Sequence, residues 1–335
     1  MADSFAHKPS TRTPTSSFMQ GTPSRTNHHV PELAAKSFRN ALGLGNDDGN
    51  ESDSDGSTST TRSLPVGVVG HRGSVFEYLE NTREGFLRCA QLGVAIELDV
   101  FQVAGTVVVF HGGGTDEDPG QLGQYCVGAP QAYIADCSLA EVQGLRFDPA
   151  YEEFPCPKEM ILDGKVPTLV DVLQDLRDYP ATQLKIELKG SGGKNFVRSV
   201  ISLVEEHNMQ DRCAYSSFQL PFLKDVREYR SYPTTAALFS HPVPEDYLQQ
   251  SNGCDEIHLP YDACSVDRVR EVRQAGFRSM AWFRGPKGMK EDLEIWGFST
   301  EEECYPDLIR AGVDEICCNK PHQLMTASKM ILNQA

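Results

Sequence analysis

Short apolar runs alternate with longer amphipathic segments from Leu64 to the end of the chain. The apolar runs are short and rich in β-branched residues, which is typical of buried strands. Eight strands are predicted in this way, at 66–70, 94–100, 184–188, 213–218, 234–239, 256–260, 277–283 and 314–319. Most of the segments between them have helical spacing, as at 196–207, 220–229 and 266–276. Eight strand–helix units in this length predict a (βα)8 TIM barrel, which usually takes roughly 250 residues. A doubly wound open sheet is the alternative, because periodicity alone does not separate the two.

One further apolar run, at 107–111, follows the second strand too closely for a crossover helix, so we expect it to return as an antiparallel hairpin. A turn centred on Gly105 would place His111 opposite Asp99. Residues from about 112 to 165, rich in Gly, Pro and acidic residues, then form a predicted insertion at the same face.

Residues 1–63 differ in composition from the rest of the chain. They are rich in Ser, Thr, Asn and Pro and poor in large apolar residues, so we predict a disordered N-terminal tail before a barrel domain at 64–335. The first part of this tail is mildly basic and NDDGNESDSDG is acidic. An organelle transit peptide is therefore an alternative to a solvated tail, since only its first half fits that pattern.

Composition narrows the class of function. The chain has 335 residues, 39% of them hydrophobic, and a formal net charge of −16. The negative charge argues against nucleic-acid binding, and no apolar run reaches the ~18 residues of a membrane span. The N-terminus shows no secretory signal, and the ten cysteines show no C-x-x-C pair, so we expect reduced thiols and a cytoplasmic location. The sequence does not fix the oligomeric state.

Carboxylates follow the apolar cores of two predicted strands. Glu97 and Asp99 are two residues apart on the second strand and therefore point to one face, and Glu187 lies near the end of the third. In a parallel barrel these strand ends meet at the active-site face. Three converging carboxylates would repel one another, and a divalent cation is the ordinary remedy. An all-oxygen set suits Mg²⁺ or Ca²⁺, and tolerates Mn²⁺.

Each of these residues also has a purely structural interpretation. Glu97 and Asp99 are consistent with ordinary barrel salt bridges, with Arg72 as a partner of Glu97. Glu187 and Lys189 are consistent with a surface ion pair. The functional interpretation is favoured because the structural ones do not explain why so many ionisable groups, among them His71, end predicted strands.

In the order and spacing of its motifs the sequence resembles the glycerophosphodiester phosphodiesterase family, over about residues 65–330. The motifs are HRG at 71–73, ENT at 80–82, ELDV at 97–100, VVVFH at 107–111, IELK at 186–189, SF at 217–218, MAWF around Trp282 and AGVDEICCNKP at 311–321.

The resemblance implies a role for each matching residue. His71 and His111 match the catalytic histidine pair, and the metal ligands match Glu97, Asp99 and Glu187. The substrate-binding and site-supporting positions match Arg72, Lys189, Glu80, Asn81 and Trp282.

The implied activity is metal-dependent hydrolysis of a small-molecule glycerophosphodiester to glycerol 3-phosphate and an alcohol, with the two histidines as general acid and base. The glycerol 2-hydroxyl attacks first, giving a cyclic phosphate that water opens. One departure stands out, since the family usually has Asp after the second histidine and this chain has Gly112. His-Gly at this position also keeps two alternatives open: phospholipase D-type cleavage of lysophospholipids, and a non-catalytic phosphodiester-binding protein.

Overall fold

A computed structural model describes residues 66–115 and 118–332. The predicted tail at 1–63, and the transit-peptide alternative with it, lie outside the described residues and stay predictions.

Eight parallel strands form the centre of the structure. They are β1 (Gly67–Gly70), β2 (Ala95–Val103), β6 (Leu184–Leu188), β7 (Cys213–Ser217), β8 (Thr234–Leu238), β9 (Glu256–Pro260), β10 (Arg278–Trp282) and β11 (Glu315–Cys318). Each pairs in parallel with its neighbours in chain order, and β1 pairs with both β11 and β2. This last pairing closes the ring, so the TIM barrel is confirmed and the open sheet is wrong.

Helices return the chain between most of the strands. They are α1 (Arg83–Leu92), α2 (Leu139–Gln143), α3 (Lys158–Asp163), α4 (Leu169–Asp175), α5 (Gly193–Glu206), α6 (Leu220–Tyr229), α7 (Tyr247–Gln250), α8 (Val266–Gln274), α9 (Pro286–Trp296), α10 (Tyr305–Ala311) and α11 (Pro321–Leu332). Their apolar faces pack against the outside of the barrel, as Phe196, Val200 and Val226 do. The alternating pattern of the sequence therefore becomes a two-layer structure, a strand ring inside a helix ring.

The predicted hairpin is present, but its register differs from the expected one. The strand β3 (Thr106–Val109) pairs antiparallel with the end of β2, with Val103 opposite Thr106. The turn is therefore the two residues Ala104 and Gly105, both at positive φ (46° and 85°), and is not centred on Gly105. As a result Phe110, and not His111, faces Asp99 and donates its backbone N–H to the Asp99 carbonyl at 3.0 Å. The prediction that placed His111 opposite Asp99 is wrong by one residue.

The segment between β3 and α4 is an ordered insertion with a small core of its own. It contains the short pair β4 (Gly113–Gly114) and β5 (Pro119–Gln121) besides α2 and α3. Its buried residues include Leu122, Tyr125, Ile134, Phe147, Phe154 and Ile161, and they pack with Phe101 and Phe110 of the hairpin. The insertion is therefore attached to the edge of the barrel from which His111 emerges.

Charged side chains fill the end of the barrel where the strands begin. Lys185 Nζ lies 2.9 Å from a carboxylate oxygen of Glu256 and 2.7 Å from one of Glu315. All three side chains are buried, and the half-exposed Arg278 covers the two glutamates at 3.6 and 3.4 Å. We call these four residues the charged floor.

The described residues contain neither a membrane-spanning helix nor a disulfide. No helix between Val66 and Leu332 is both long and apolar enough to cross a membrane. The ten cysteines are unpaired thiols, nine of them buried, as expected of small apolar side chains.

Candidate active site

His71 leaves the ring directly after β1. Its backbone N–H donates to the Cys318 carbonyl of β11, and its ring lies in a cavity at the C-terminal ends of the strands. Nδ1 lies 3.0 Å from Oδ1 of Asn319. The amide of Asn319 donates to the Arg284 carbonyl and to Glu301, so its oxygen is the atom left for the ring. His71 therefore carries its proton on Nδ1, and Nε2 is left for chemistry.

The next residue, Arg72, connects the HRG and ENT motifs. Its backbone is left-handed (φ 53°), and its N–H donates to Glu97 at 2.8 Å. The guanidinium bonds Glu80 at 2.9 Å and approaches Asp99 at 3.7 Å. Burial raises the pKa of Glu80 to about 7, although Arg72 opposes the rise. The alternative in which the Arg72 side chain pairs with Glu97 is therefore wrong, because only its backbone does.

Asn81 holds one of the carboxylates in place. Its side-chain amide donates to Asp99 Oδ2 at 2.9 Å, and its side-chain oxygen accepts the backbone N–H of Asp99 at 3.3 Å. Helix α1 begins two residues later at Arg83, so the ENT motif lies just before the helix and orients the site from there.

Glu97, Asp99 and Glu187 meet as the sequence pattern predicts. Each offers a carboxylate oxygen within 4.8 Å of the others, and all three are buried. Burial raises the pKa of Glu97 well above its usual value, and Asp99 and Glu187 add to the rise. Burial would also raise the pKa of Asp99, but Lys189, His111 and Arg72 hold it well below its usual range.

Lys189 lies beside this cluster and not on the surface. Its Nζ is 2.7 Å from Glu187 and 3.4 Å from Asp99, and its side chain is only 5% exposed. Burial lowers the pKa of Lys189, but Glu187 and Asp99 outweigh it and keep the ammonium charged. The surface-pair interpretation of Glu187 and Lys189 is therefore wrong.

His111 reaches the same cavity from the end of the hairpin. Its Nδ1 lies 2.6 Å from the Gly112 carbonyl and 3.3 Å from the Tyr125 hydroxyl. A carbonyl only accepts, so Nδ1 carries the proton here too. Burial lowers the pKa of His71 to about 3, helped by Arg72. Burial, Arg72 and Lys189 likewise lower the pKa of His111 far below its usual value. Both rings are therefore neutral at neutral pH.

The cavity, of about 700 Å³, has an aromatic wall. Trp282, the last residue of β10, packs edge-on against Phe218 at 5.7 Å between ring centroids. The buried indole Nε1 of Trp282 has no hydrogen-bond partner among the residues that the structure describes. All ten residues singled out from the sequence thus lie in or directly behind one cavity.

Sequence reasoning missed three residues of this site. Asn319 and the buried Glu301 support His71, and Tyr125 reaches His111 from the insertion. Asn319 stands inside a quoted motif, but nothing in that motif shows that it contacts a histidine 248 residues away. Tyr125 and Glu301 carry no local signal.

Comparison with known proteins agrees with this geometry. Residues 71–322 match the Glycerophosphoryl diester phosphodiesterase family. A Glycerophosphodiester phosphodiesterase from Caldanaerobacter subterraneus subsp. tengcongensis is 25% identical over 268 residues, which cover 77% of this chain and 96% of that protein.

Solved structures share the fold. An Oleispira antarctica phosphodiesterase in complex with the product sn-glycerol-3-phosphate superimposes with a TM-score of 0.62 at 20% identity, covering 79% of this chain and 97% of that one. A glycerophosphodiester phosphodiesterase from Agrobacterium tumefaciens gives a TM-score of 0.59 at 19% identity, covering 78% and 99%. Because the family match extends over most of the barrel and includes both histidines and all three clustered carboxylates, the chain belongs to the glycerophosphoryl diester phosphodiesterase family, whose members are phosphoric diester hydrolases.

Proposed function

We propose that this protein hydrolyses glycerophosphodiesters to glycerol 3-phosphate and an alcohol, using a divalent cation and two histidines. The observation that carries the proposal is the pair of imidazoles, each anchored through Nδ1, in one cavity with a carboxylate cluster and two buried cationic side chains. The structure of the Oleispira antarctica phosphodiesterase holds the product sn-glycerol-3-phosphate, which is consistent with this substrate class.

The carboxylate cluster fits a hard divalent cation. Oε1 of Glu97 is buried and has no hydrogen-bond partner among the described residues, and such an orphaned oxygen is costly without a cation. Glu97, Asp99 and Glu187 would hold the ion, and an all-oxygen set favours Mg²⁺ or Ca²⁺, with Mn²⁺ tolerated. When bound, the ion supplies positive charge to the phosphate oxygens and lowers the pKa of a coordinated hydroxyl.

Each histidine carries out one of the two proton transfers. One Nε2 accepts the proton of the glycerol 2-hydroxyl as its oxygen bonds to phosphorus. The other ring protonates the departing alcohol as its P–O bond breaks, which leaves a cyclic phosphate. Since both rings are neutral in the free protein, the ring that acts as the acid gains its proton when the negatively charged substrate binds. Water then opens the cyclic phosphate to glycerol 3-phosphate, and the same two groups work in reverse.

Arg72 and Lys189 contribute fixed positive charge. Both are buried and remain protonated because acidic neighbours outweigh the cost of burial. Charge that grows on the phosphoryl oxygens is therefore met by groups already in position, which is the main requirement of electrostatic catalysis.

The test is an activity matrix of substrates and metals combined with calorimetry. Purified protein should release glycerol 3-phosphate from glycerophosphocholine with Mg²⁺, Ca²⁺ or Mn²⁺. Glu97→Gln and Glu187→Gln should lose both turnover and divalent-ion binding, while the exposed Glu206→Gln at the end of α5 serves as the matched control. Unchanged metal affinity in both active-site variants would show that the ligand set is wrong.

The same matrix separates the alternatives. A cyclic phosphate formed only from lysophosphatidylcholine would favour the phospholipase D-type reaction. Intact diesters under every metal would favour a binding protein without turnover.

A further inference from the structure

The loop after His111 is built around a backbone carbonyl. Gly112 has a φ of +73°, and a Cβ on it would lie 2.6 Å from the Phe110 ring and 2.9 Å from the backbone of Gly120. Such contacts do not fit a side chain, and positive φ also favours glycine. This conformation turns the Gly112 carbonyl back onto Nδ1 of His111 at 2.6 Å. The glycine is therefore required by the way in which His111 is held, and does not loosen the loop.

The second atom next to this nitrogen is the hydroxyl of Tyr125. It lies 3.3 Å from Nδ1 of His111, so the same N–H has two oxygen acceptors. Tyr125 is only 2% exposed, and its ring packs against Tyr151 and Phe154 at 4.6 and 5.3 Å between centroids. The insertion thus holds the Tyr125 ring, and with it the hydroxyl, between two aromatic side chains.

Tyr125 lines the same cavity as Arg72 and Lys189. Burial raises the pKa of Tyr125 well above its usual value, Glu80 adds to the rise, and Arg72 opposes it. The hydroxyl therefore keeps its proton, and it contacts His111 in the cavity that Arg72 also lines. A group in this place orients its neighbours without adding a negative charge to the three carboxylates already present.

We propose that Tyr125 is a positioning residue for His111. Together with the Gly112 carbonyl it takes over the place of the carboxylate that usually follows the second histidine, and it keeps the ring with Nδ1 protonated and Nε2 in the cavity. The insertion is then a working part of the active site. This inference rests on the proposed function in so far as His111 transfers a proton.

The experiment compares Tyr125→Phe with Tyr133→Phe, which removes a hydroxyl from the same insertion where it bonds Asp118. With glycerophosphocholine as substrate, Tyr125→Phe should lower kcat about ten-fold, the effect expected from one lost hydrogen bond to an oriented catalytic group, with KM nearly unchanged. In ¹⁵N-histidine-labelled protein, the Nδ1–H resonance of His111, assigned with His111→Ala, should be sharp in wild type and in Tyr133→Phe. It should broaden through exchange with water in Tyr125→Phe.

The two measurements separate failure of this inference from failure of the function. If wild type is active and His111→Ala is not, but Tyr125→Phe matches Tyr133→Phe in kcat or in the resonance, the positioning role is wrong and the function stands. If wild type cleaves no diester, the function is wrong, and the resonance alone decides whether Tyr125 orients the ring.

Discussion

His71 and His111 are each held through Nδ1, but the acceptors differ in kind. His71 depends on an amide oxygen whose own orientation is fixed by Glu301 and a backbone carbonyl. His111 depends on a backbone carbonyl and a phenol. Among the residues that the structure describes, no carboxylate lies on Nδ1 of either ring to raise its basicity. Burial and Arg72 therefore do most to lower the pKa of both rings; Lys189 adds to this effect and Asp99 opposes it.

The two-histidine reaction predicts a particular pattern of losses. His71→Ala and His111→Ala should each lower kcat about 10²–10⁴-fold with the fold intact. The double variant should lose far less than the product, because both groups serve one reaction. A p-nitrophenyl diester, whose leaving group needs no proton, should restore activity to the variant that lacks the acid and not to the other.

Two results would contradict the two-histidine mechanism. Full activity of His111→Ala on every diester tested would remove that ring from the reaction. Restored activity of both variants on the p-nitrophenyl diester would show that neither ring is the base.

The geometry at Gly112 predicts the effect of restoring the acidic residue. Gly112→Asp should lower turnover and not raise it, because its Cβ meets the Phe110 ring and the backbone of Gly120. The comparison is kcat against Gly105→Asp, which also changes a glycine at positive φ but finds no atom within 4 Å of the new Cβ. Higher turnover in Gly112→Asp would mean that the loop has room to rearrange.

The sequence predicts those site residues that belong to a local pattern, and it misses those that act through contacts between distant segments. His71 follows an apolar run, and Glu97 and Glu187 lie within two others, so their places on the strands are visible in the pattern. Asn319 and Tyr125 act through contacts between segments far apart in the chain. No local period or spacing encodes such contacts, and only the folded barrel reveals them.

At the scale of elements, the eight strands and the main helices lie within a few residues of their predicted limits. Their apolar periodicity is strong because each strand is buried on both sides by the two-layer architecture. The hairpin register was the exception. A two-residue turn with both φ angles positive usually carries Asn-Gly or Asp-Gly, and Ala104 gives no such signal. One unrecognised turn residue shifts every partner by one position.

The charged floor predicts a large stability effect for a residue that is remote from the reaction. Lys185→Met should lower the free energy of unfolding by about 3–5 kcal/mol, since Glu256 and Glu315 are left buried without their central cation. Burial would raise the pKa of Glu256, but His258 and Lys185 hold it below its usual value. Without Lys185 that pKa rises, so the deficit should shrink as the pH falls and Glu256 becomes protonated.

Urea unfolding at several pH values measures this effect. Lys194→Met, which breaks a surface pair with Glu228, is the control and should change stability far less. An equal loss in the free energy of unfolding for both variants, or a loss for Lys185→Met that increases as the pH falls, would contradict the proposed role of the charged floor.

At the scale of the whole molecule, the groups proposed for catalysis come from one side of the ring and the aromatic wall from the other. His71, Glu97, His111 and Glu187 are carried by β1, β2, the hairpin and β6, whereas Phe218 and Trp282 follow β7 and end β10. Closure of β1 against β11 brings Asn319 to His71. The site therefore exists only in the complete ring, and half-barrels should not bind metal and substrate together.

The tail prediction belongs to this scale. Deleting residues 1–60 should leave kcat unchanged and shift the melting temperature by no more than about two degrees, because that segment is too polar to contribute to a core. Differential scanning calorimetry of both lengths is the measurement. A fall of many degrees would show that the segment packs against the barrel.

The charged floor also affects how substrate reaches the cavity. Because buried ion pairs fill the barrel where the strands begin, we expect substrate to reach the cavity from the opposite end, where the described parts of the strand ends and of the insertion line it. The insertion therefore borders the path of substrate and products as well as the groups proposed for catalysis.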